Sequence, residues 1–447
     1  MAQAELINRP ASSSSNGRPS RPASPGSRES RLWFWATAAI LFVFLAASAV
    51  PAPLYRVYQR QWHFSATTLT AVFAVYVFAL LATLLFCGSL SDHLGRRPVV
   101  FAGLTLEVAA CLVFVSARGV DALFLARGVQ GVAVGLTAGT LSAALLDRRP
   151  EGDLAALISS AFSTGALAFG ALAASILVRY GPAPTRLPWW LLLGAFLAGL
   201  GVAVAMPEPG VARPGALASL RPHISVPKPA RAGFMIALPC VAGSWALGGF
   251  YLSLGPSLVA AQLHSANAVW GGVSIALLCG VGAAASVARR GVAPPRMMLE
   301  GCVALVVGAG LSVVAIALDS AVILLLATAV AGVGFGPVFL GAFRMIVPLA
   351  PADDRAGLVA AIFTVAYAGF GAPALAAGFA TTAYGLRSTS LVYCSAVGAL
   401  AAIAIGSLLR NPASSELTRD RARGPLPPAA PCTRAYCAPL HQPAPRG

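Results

Sequence analysis

Apolar runs of about twenty residues, separated by short polar stretches, dominate the chain between Leu32 and Leu409. A helix rises ~1.5 Å per residue, so about 20 residues cross a ~30 Å hydrocarbon layer. By that measure the pattern predicts twelve membrane-spanning helices. The first six cover 32–54, 66–89, 98–117, 121–145, 154–178 and 188–206. The second six cover 232–254, 266–288, 297–317, 321–347, 356–381 and 388–409. A polar segment rich in proline and basic residues, 207–231, separates them. Residues 1–31 and 410–447 are Ser/Pro/Gly/Arg-rich with few large apolar side chains, a composition that cannot build a core. The expected order is a disordered tail 1–31, a six-helix half 32–206, a linker 207–231, a second six-helix half 232–409 and a disordered tail 410–447. The first apolar run starts too far along the chain for a cleaved signal sequence and is expected to remain as the first span.

An internal repeat supports the six-plus-six division. At an offset of 201 residues, Leu125-Ala126 maps onto Leu326-Ala327, Gly131 onto Gly332, Gly135 onto Gly336 and Pro150 onto Pro351. Asp153, Phe162, Phe169 and Gly170 map in the same way onto Asp354, Phe363, Phe370 and Gly371. An ungapped series through two helices and their loop points to two homologous halves, as in transporters built from repeats.

Composition agrees with a membrane-embedded chain: 57% of residues are hydrophobic and only 10% are charged, against about 25% in soluble domains. The net charge of +16 sits in loops and tails between apolar runs and reads as topology, with no nucleic-acid partner. With the amino terminus inside, the tails, linker and loops on that side carry 23 Lys/Arg against 6 on the other. Both termini are therefore expected to be cytoplasmic, in a plasma-membrane protein. Cys87, Cys111, Cys240, Cys279, Cys302 and Cys394 fall in or beside apolar runs as small apolar side chains, and Cys432 and Cys437 lie in the tail with no cluster to complete a metal site. No phosphate-binding loop, metal cluster or nucleophile–base set is present, so no catalytic residues, metal or cofactor are expected.

Chemistry concentrates in two places. The first is the hairpin Gly88-Ser89-Leu90-Ser91-Asp92-His93-Leu94-Gly95-Arg96-Arg97-Pro98, where glycines permit a tight reversal and the arginines hold the loop on the basic side. The second is Leu123-Phe-Leu-Ala-Arg127-Gly-Val-Gln130-Gly131-Val-Ala-Val-Gly135. Gly131, Gly135 and Gly139 recur every fourth residue and make a smooth stripe for helix packing, repeated by Gly332 and Gly336. Arg127 inside a span costs about 2.5–3.5 kcal/mol unless it snorkels to the interface or finds a partner. Glu107, the carboxylate nearest the middle of a span, lies within roughly 6 Å of it in depth, since the third and fourth helices run in opposite directions. The two could pair. Burial favours the neutral acid and a nearby arginine favours the charged one, a balance that suits a proton carrier; a purely structural hydrogen bond is the other reading.

The two segments resemble the G-x-L-x-D-x-x-G-R-R loop and the L-x-x-x-R-x-x-Q-G fourth-helix motif of the major facilitator superfamily. That resemblance implies an all-α integral membrane protein of twelve transmembrane helices in two pseudo-symmetric six-helix halves. It also implies a cytoplasmic latch of Gly88, Asp92, Gly95, Arg96 and Arg97, with Asp92 reaching the start of the eleventh helix and Arg96 reaching Asp147. It places Arg127 and Gln130 at a central cavity. The fifth helix lacks the Gly-Pro pair of the antiporter signature. The second hairpin keeps Arg289 and Arg290 but not the acid, so only the first copy is expected to latch.

Helix breakers gather at Pro51 and Pro53, Pro239, Gly255-Pro256, Gly336-Pro337 and Pro373, where a cavity or neighbours must satisfy freed carbonyls. Tyr76, Trp245, Tyr251, Trp270, Phe363 and Tyr367 are either substrate contacts or core and interface residues. The expected function is proton-coupled efflux of a small, moderately hydrophobic compound by a monomeric carrier, since the spans hold few polar side chains. Import of a sugar or other metabolite, and a non-transporting receptor or scaffold with the same fold, are the alternatives.

Overall fold

A backbone in hydrocarbon must satisfy its own polar groups, so each apolar run closes into a helix. The computed structural model describes residues 28–148, 162–208, 214–216, 218–220, 222, 224–351 and 354–410. Its first half contains α1 (Arg28–Ala49), α2 (Pro51–Trp62), α3 (Ala66–Cys87), α4 (Leu90–Leu94), α5 (Arg96–Ser116), α6 (Val120–Arg148), α7 (Ser163–Tyr180) and α8 (Leu187–Ala205). The second contains α9 (Arg231–Ser253), α10 (Gly255–Gln262), α11 (Val269–Ala288), α12 (Pro294–Ala317), α13 (Ala321–Ile346), α14 (Arg355–Tyr384) and α15 (Leu386–Leu409). These provide 12 spans long and apolar enough to cross a membrane, α1 and α2 together forming the first. Cys432, Cys437, Pro150, Asp153, both expected tails for most of their length and the beginning of the expected fifth span lie outside the described residues.

Two departures from the expected spans share one cause. The first span runs on to Trp62 rather than stopping near residue 54, because Pro51 and Pro53 end α1 and then start α2. Proline lacks an N–H and suits the first turn of a helix, where that donor has no partner in any case. Gly255-Pro256 likewise ends α9 and opens α10, a short helix the hydropathy pattern did not separate. Pro239, Pro337 and Pro373 stay inside α9, α13 and α14.

Glycines set the closest helix contacts in both halves. A Cβ on Gly135 would lie 2.7 Å from the Leu80 carbonyl oxygen of α3, and one on Gly131 would strike the Tyr76 carbonyl. The repeat places Gly332 equivalently, 2.8 Å from the Leu278 oxygen of α11, and Gly336 against the Gly282 oxygen. Gly139 departs from the expected stripe, with nothing within 4 Å of its would-be Cβ. Four residues turn a helix by about 400°, so the stripe drifts about 40° per step and leaves the α3 contact by the third glycine.

The halves meet along α3 with α14 and α7 with α11. At the end remote from the hairpin, Thr67 of α3 donates to the Gly378 oxygen of α14 at 3.2 Å, and its Oγ1 lies 2.9 Å from that of Thr382. There α2 also touches α10 and α11, and Gly272 of α11 abuts Ser175 of α7. The far end is closed.

Candidate functional site

The fourth span carries Arg127 and Gln130 one turn apart on the face of α6 turned toward α1, α2, α3 and α5. Arg127 is 1% exposed and Glu107, on α5, is 0% exposed. Arg127 Nη1 donates to Gln130 Oε1 at 2.6 Å and to the Ser48 carbonyl oxygen at 3.4 Å. Gln130 Nε2 donates to the Ala47 oxygen at 3.3 Å. The guanidinium carbon lies 3.8 Å from the centre of the Tyr76 ring, a cation–π contact. Arg127 therefore points into the protein rather than snorkelling.

These contacts have a backbone cause. In an α-helix the carbonyl of Ala47 would receive the N–H of residue 51, and Pro51 has none. The Val50 N–H reaches that oxygen at 3.3 Å in a tighter turn, the Gln130 amide supplies a second donor, and Arg127 takes the next carbonyl along. The sequence held both signals, the proline pair and the R-x-x-Q motif, but gave no sign that they touch.

Both carboxyl oxygens of Glu107 are buried without a hydrogen-bond partner. Arg127 is near enough to act on the acid electrostatically, and Gln130 lies close as well. The Glu107–Arg127 ion pair that their depths allow is not formed, because the guanidinium is held by Gln130, Ser48 and Tyr76.

At the hairpin, Arg96 pairs with Asp92, donates through Nε to Asp147 at 3.2 Å and through Nη1 to Ser91 Oγ at 2.7 Å. Among the described residues Asp92 makes no contact with the start of α14, which the resemblance implied; its carboxylate is on Arg96. The free N–H groups at the start of α5 are taken by a residue that sequence reading did not single out. Glu208 accepts from the amides of Arg96 and Arg97 at 2.8 and 2.9 Å. A carboxylate there meets both the unpaired donors and the positive end of the helix dipole. Arg97 in turn donates to the Ala203 oxygen at 2.9 Å and to that of Val204, tying α5 to the end of α8. Only Gly95 (φ +96°) needs glycine's freedom, since Gly88 is right-handed at φ −59°. The rest of the linker binds Ser89 and His93 through the oxygens of Ser219 and Pro214, and Ser225 N–H donates to the Gly357 oxygen of α14 at 3.3 Å. In the second hairpin, Glu300 supplies the acid missing from the motif, pairing with Arg289 and with Arg296 at 2.9 Å.

The aromatic candidates separate into four groups. Trp245 of α9 packs on Phe339 of α13 (5.1 Å between ring centres) and on Tyr367 (4.8 Å) and Phe370 (5.5 Å) of α14. Phe363 stacks on Tyr367 at 5.9 Å, and Phe73 of α3 reaches Phe370 at 5.2 Å from the other half. Trp245, Phe339, Phe363 and Tyr367 are half-buried. Tyr76 belongs instead to the Arg127 cluster. Tyr251 is 1% exposed and its hydroxyl lies 2.7 Å from Thr328 Oγ1, inside the second half rather than on a cleft. Thr328 is the repeat counterpart of Arg127 at the offset of 201, so a neutral hydroxyl pair stands where the first half has a charge. Trp270, 37% exposed, lies at the far end of α11.

Residues 36–372 match the Major Facilitator Superfamily. The multidrug resistance protein MdtL of Shewanella oneidensis is 34% identical over 71 residues, which is 16% of this chain and 18% of that protein. The uridine/deoxyuridine transporter of Lactococcus lactis subsp. cremoris is 28% identical over 144 residues, 32% of this chain and 30% of that one. The multidrug transporter MdfA of Yersinia pestis bv. Antiqua is 31% identical over 124 residues, 27% of this chain and 30% of that one. The matches thus span less than a third of each relative's length. The crystal structure of the nucleoside transporter NupG has a similar fold, with a TM-score of 0.62 at 12% identity, covering 86% of this chain and 100% of that chain.

Proposed function

This chain belongs to the Major Facilitator Superfamily, a family of transporters rather than enzymes, and we propose that it is a proton-coupled exporter of a small, moderately hydrophobic compound. The observation that carries this reading is the buried, unpartnered carboxyl of Glu107 beside Arg127. Burial disfavours a bare carboxylate, and the nearby guanidinium favours one. A group held between those opposing effects changes charge when its surroundings change. Glu107 is the proton carrier in this account. Arg127 and Gln130 set its surroundings.

Substrate would bind against the half-buried rings of Trp245, Phe339, Phe363 and Tyr367, which offer apolar faces and few hydrogen-bonding groups. The multidrug relatives favour export. A second reading, import of a metabolite with a planar ring, is favoured by the uridine/deoxyuridine relative and by the same stacked rings. The protein acts as a monomer in the plasma membrane with both termini cytoplasmic, so the end closed here is the extracellular one. Gly88, Asp92, Gly95, Arg96, Arg97 and Asp147 form the latch, with the Asp92 contact to α14 made when the extracellular end opens.

The test is a drug and metabolite transport screen in membrane vesicles of both orientations with an imposed pH gradient. Export predicts accumulation in inverted vesicles that collapses when the gradient is dissipated. Accumulation only in right-side-out vesicles, or flux indifferent to the gradient, contradicts it.

A further inference from the structure

The hydrogen bonds of Arg127 leave one feature of the cluster unexplained. Its Nε–H is buried without a partner, and the hydroxyl of Tyr55, also buried, lies close to the guanidinium but makes no hydrogen bond of good geometry with it. Two complementary polar side chains, close together in an apolar interior and without a well-formed hydrogen bond, are a standing penalty that a small displacement would remove. Tyr55 is 1% exposed, so bulk water does not supply the missing bond.

Their positions explain how such a displacement arises. Arg127 holds the Ser48 carbonyl, on the α1 side of the proline break, whereas Tyr55 is on α2, about one turn beyond Pro51. The break at Val50 separates the two segments of the first span. The outer segment, α2, makes the far-end contacts with α10 and α11 that close the molecule. Opening that end requires α2 to move, and its movement carries Tyr55 past a guanidinium fixed on α6.

We propose that Tyr55 is a positioning residue for alternating access, its hydroxyl serving as a second hydrogen-bond partner of Arg127 that is engaged when α2 turns about Val50 and the far end opens, and disengaged in the closed state. The bond offsets part of the loss of the α2–α10 and α2–α11 contacts. It rests on the alternating-access reading only in requiring a far-end-open state, and it is independent of whether Glu107 carries a proton.

The test uses full-length protein in lipid nanodiscs with spin labels at the exposed positions Gln61 and Ala261, the outer ends of α2 and α10. Tyr55→Phe removes only the hydroxyl. The expected result is about a fivefold fall in the population of the longer label distance, the size of one net hydrogen bond, with an unchanged or higher melting temperature. Stability should not fall because the hydroxyl makes no well-formed hydrogen bond in the closed state. Tyr58→Phe is the contrast: that hydroxyl donates to the Thr185 oxygen at 3.2 Å and accepts from Trp189 Nε1 at 3.0 Å, so its removal should lower the melting temperature. A distance distribution for Tyr55→Phe equal to the wild type, or a melting temperature lowered as in Tyr58→Phe, overturns the assignment. A wild type with a single short distance would overturn it together with alternating access at this end.

Discussion

Gln130 donates its amide to the carbonyl oxygen of Ala47, the oxygen that Pro51 leaves without its helical donor, at 3.3 Å. The contact joins two features that look unrelated along the chain: a helix break in the first span and a polar motif in the fourth. It places the break in the first span and the buried charge in one hydrogen-bonded unit. Whatever alters Arg127 or Gln130 therefore acts on that break as well.

Gln130→Leu should destabilise the protein by about 1–3 kcal/mol, because it strips Arg127 of its shortest hydrogen bond and leaves the Ala47 carbonyl with the Val50 N–H alone. Unfolding midpoints of purified protein in detergent measure this. An unchanged midpoint would mean that the carbonyl is satisfied by other means.

The glycine contacts give a paired prediction. Gly135→Val places a side chain against the Leu80 carbonyl and should cost about 1–3 kcal/mol or prevent α3 and α6 from docking. Gly139→Val meets open space and should leave folding and expression at wild-type levels. Equal effects at the two positions would contradict the packing described here.

What the sequence made legible was the arrangement that hydrophobicity dictates. Runs near twenty residues gave the spans because hydrocarbon thickness fixes their length, and the repeat placed Gly332 and Gly336 where their counterparts Gly131 and Gly135 pack. The spans did not reveal which faces meet. Glu208 was invisible as a cap because it lies 112 residues from the Arg96 amide it accepts. The sequence leaves Tyr251 open between a substrate contact and a core residue, because nothing in its local pattern shows that Thr328 stands opposite. The unformed Glu107–Arg127 ion pair has a similar origin. Depth in the membrane can be counted along a helix, but the competing claims on a guanidinium depend on side-chain direction.

Glu208→Ala should leave the spans intact and loosen the start of α5. Loss of a cap costs about 1 kcal/mol, equivalent to roughly fivefold faster exchange, at the Arg96 and Arg97 amides. Hydrogen-exchange mass spectrometry of the 88–100 segment reads it. Exchange at the wild-type rate would remove Glu208 from that role.

Asp92→Asn should not lower thermal stability measurably, since a half-exposed ion pair with Arg96 contributes about 0–1 kcal/mol. It should nevertheless cut transport strongly at normal expression if, as proposed above, the latch acts through an Asp92–α14 contact made when the extracellular end opens. Wild-type flux in Asp92→Asn would remove the latch assignment.

The account stands most directly on Glu107, and the decisive measurement is uphill transport by purified Glu107→Gln protein in liposomes, using a compound found in the vesicle screen. A proton carrier must gain and lose its proton in each cycle, whereas glutamine keeps hydrogen-bonding capacity without the charge change. The account predicts that Glu107→Gln binds and exchanges the compound but no longer concentrates it under an imposed pH gradient. Concentration against the gradient at the wild-type level, with an unchanged pH profile, would contradict it.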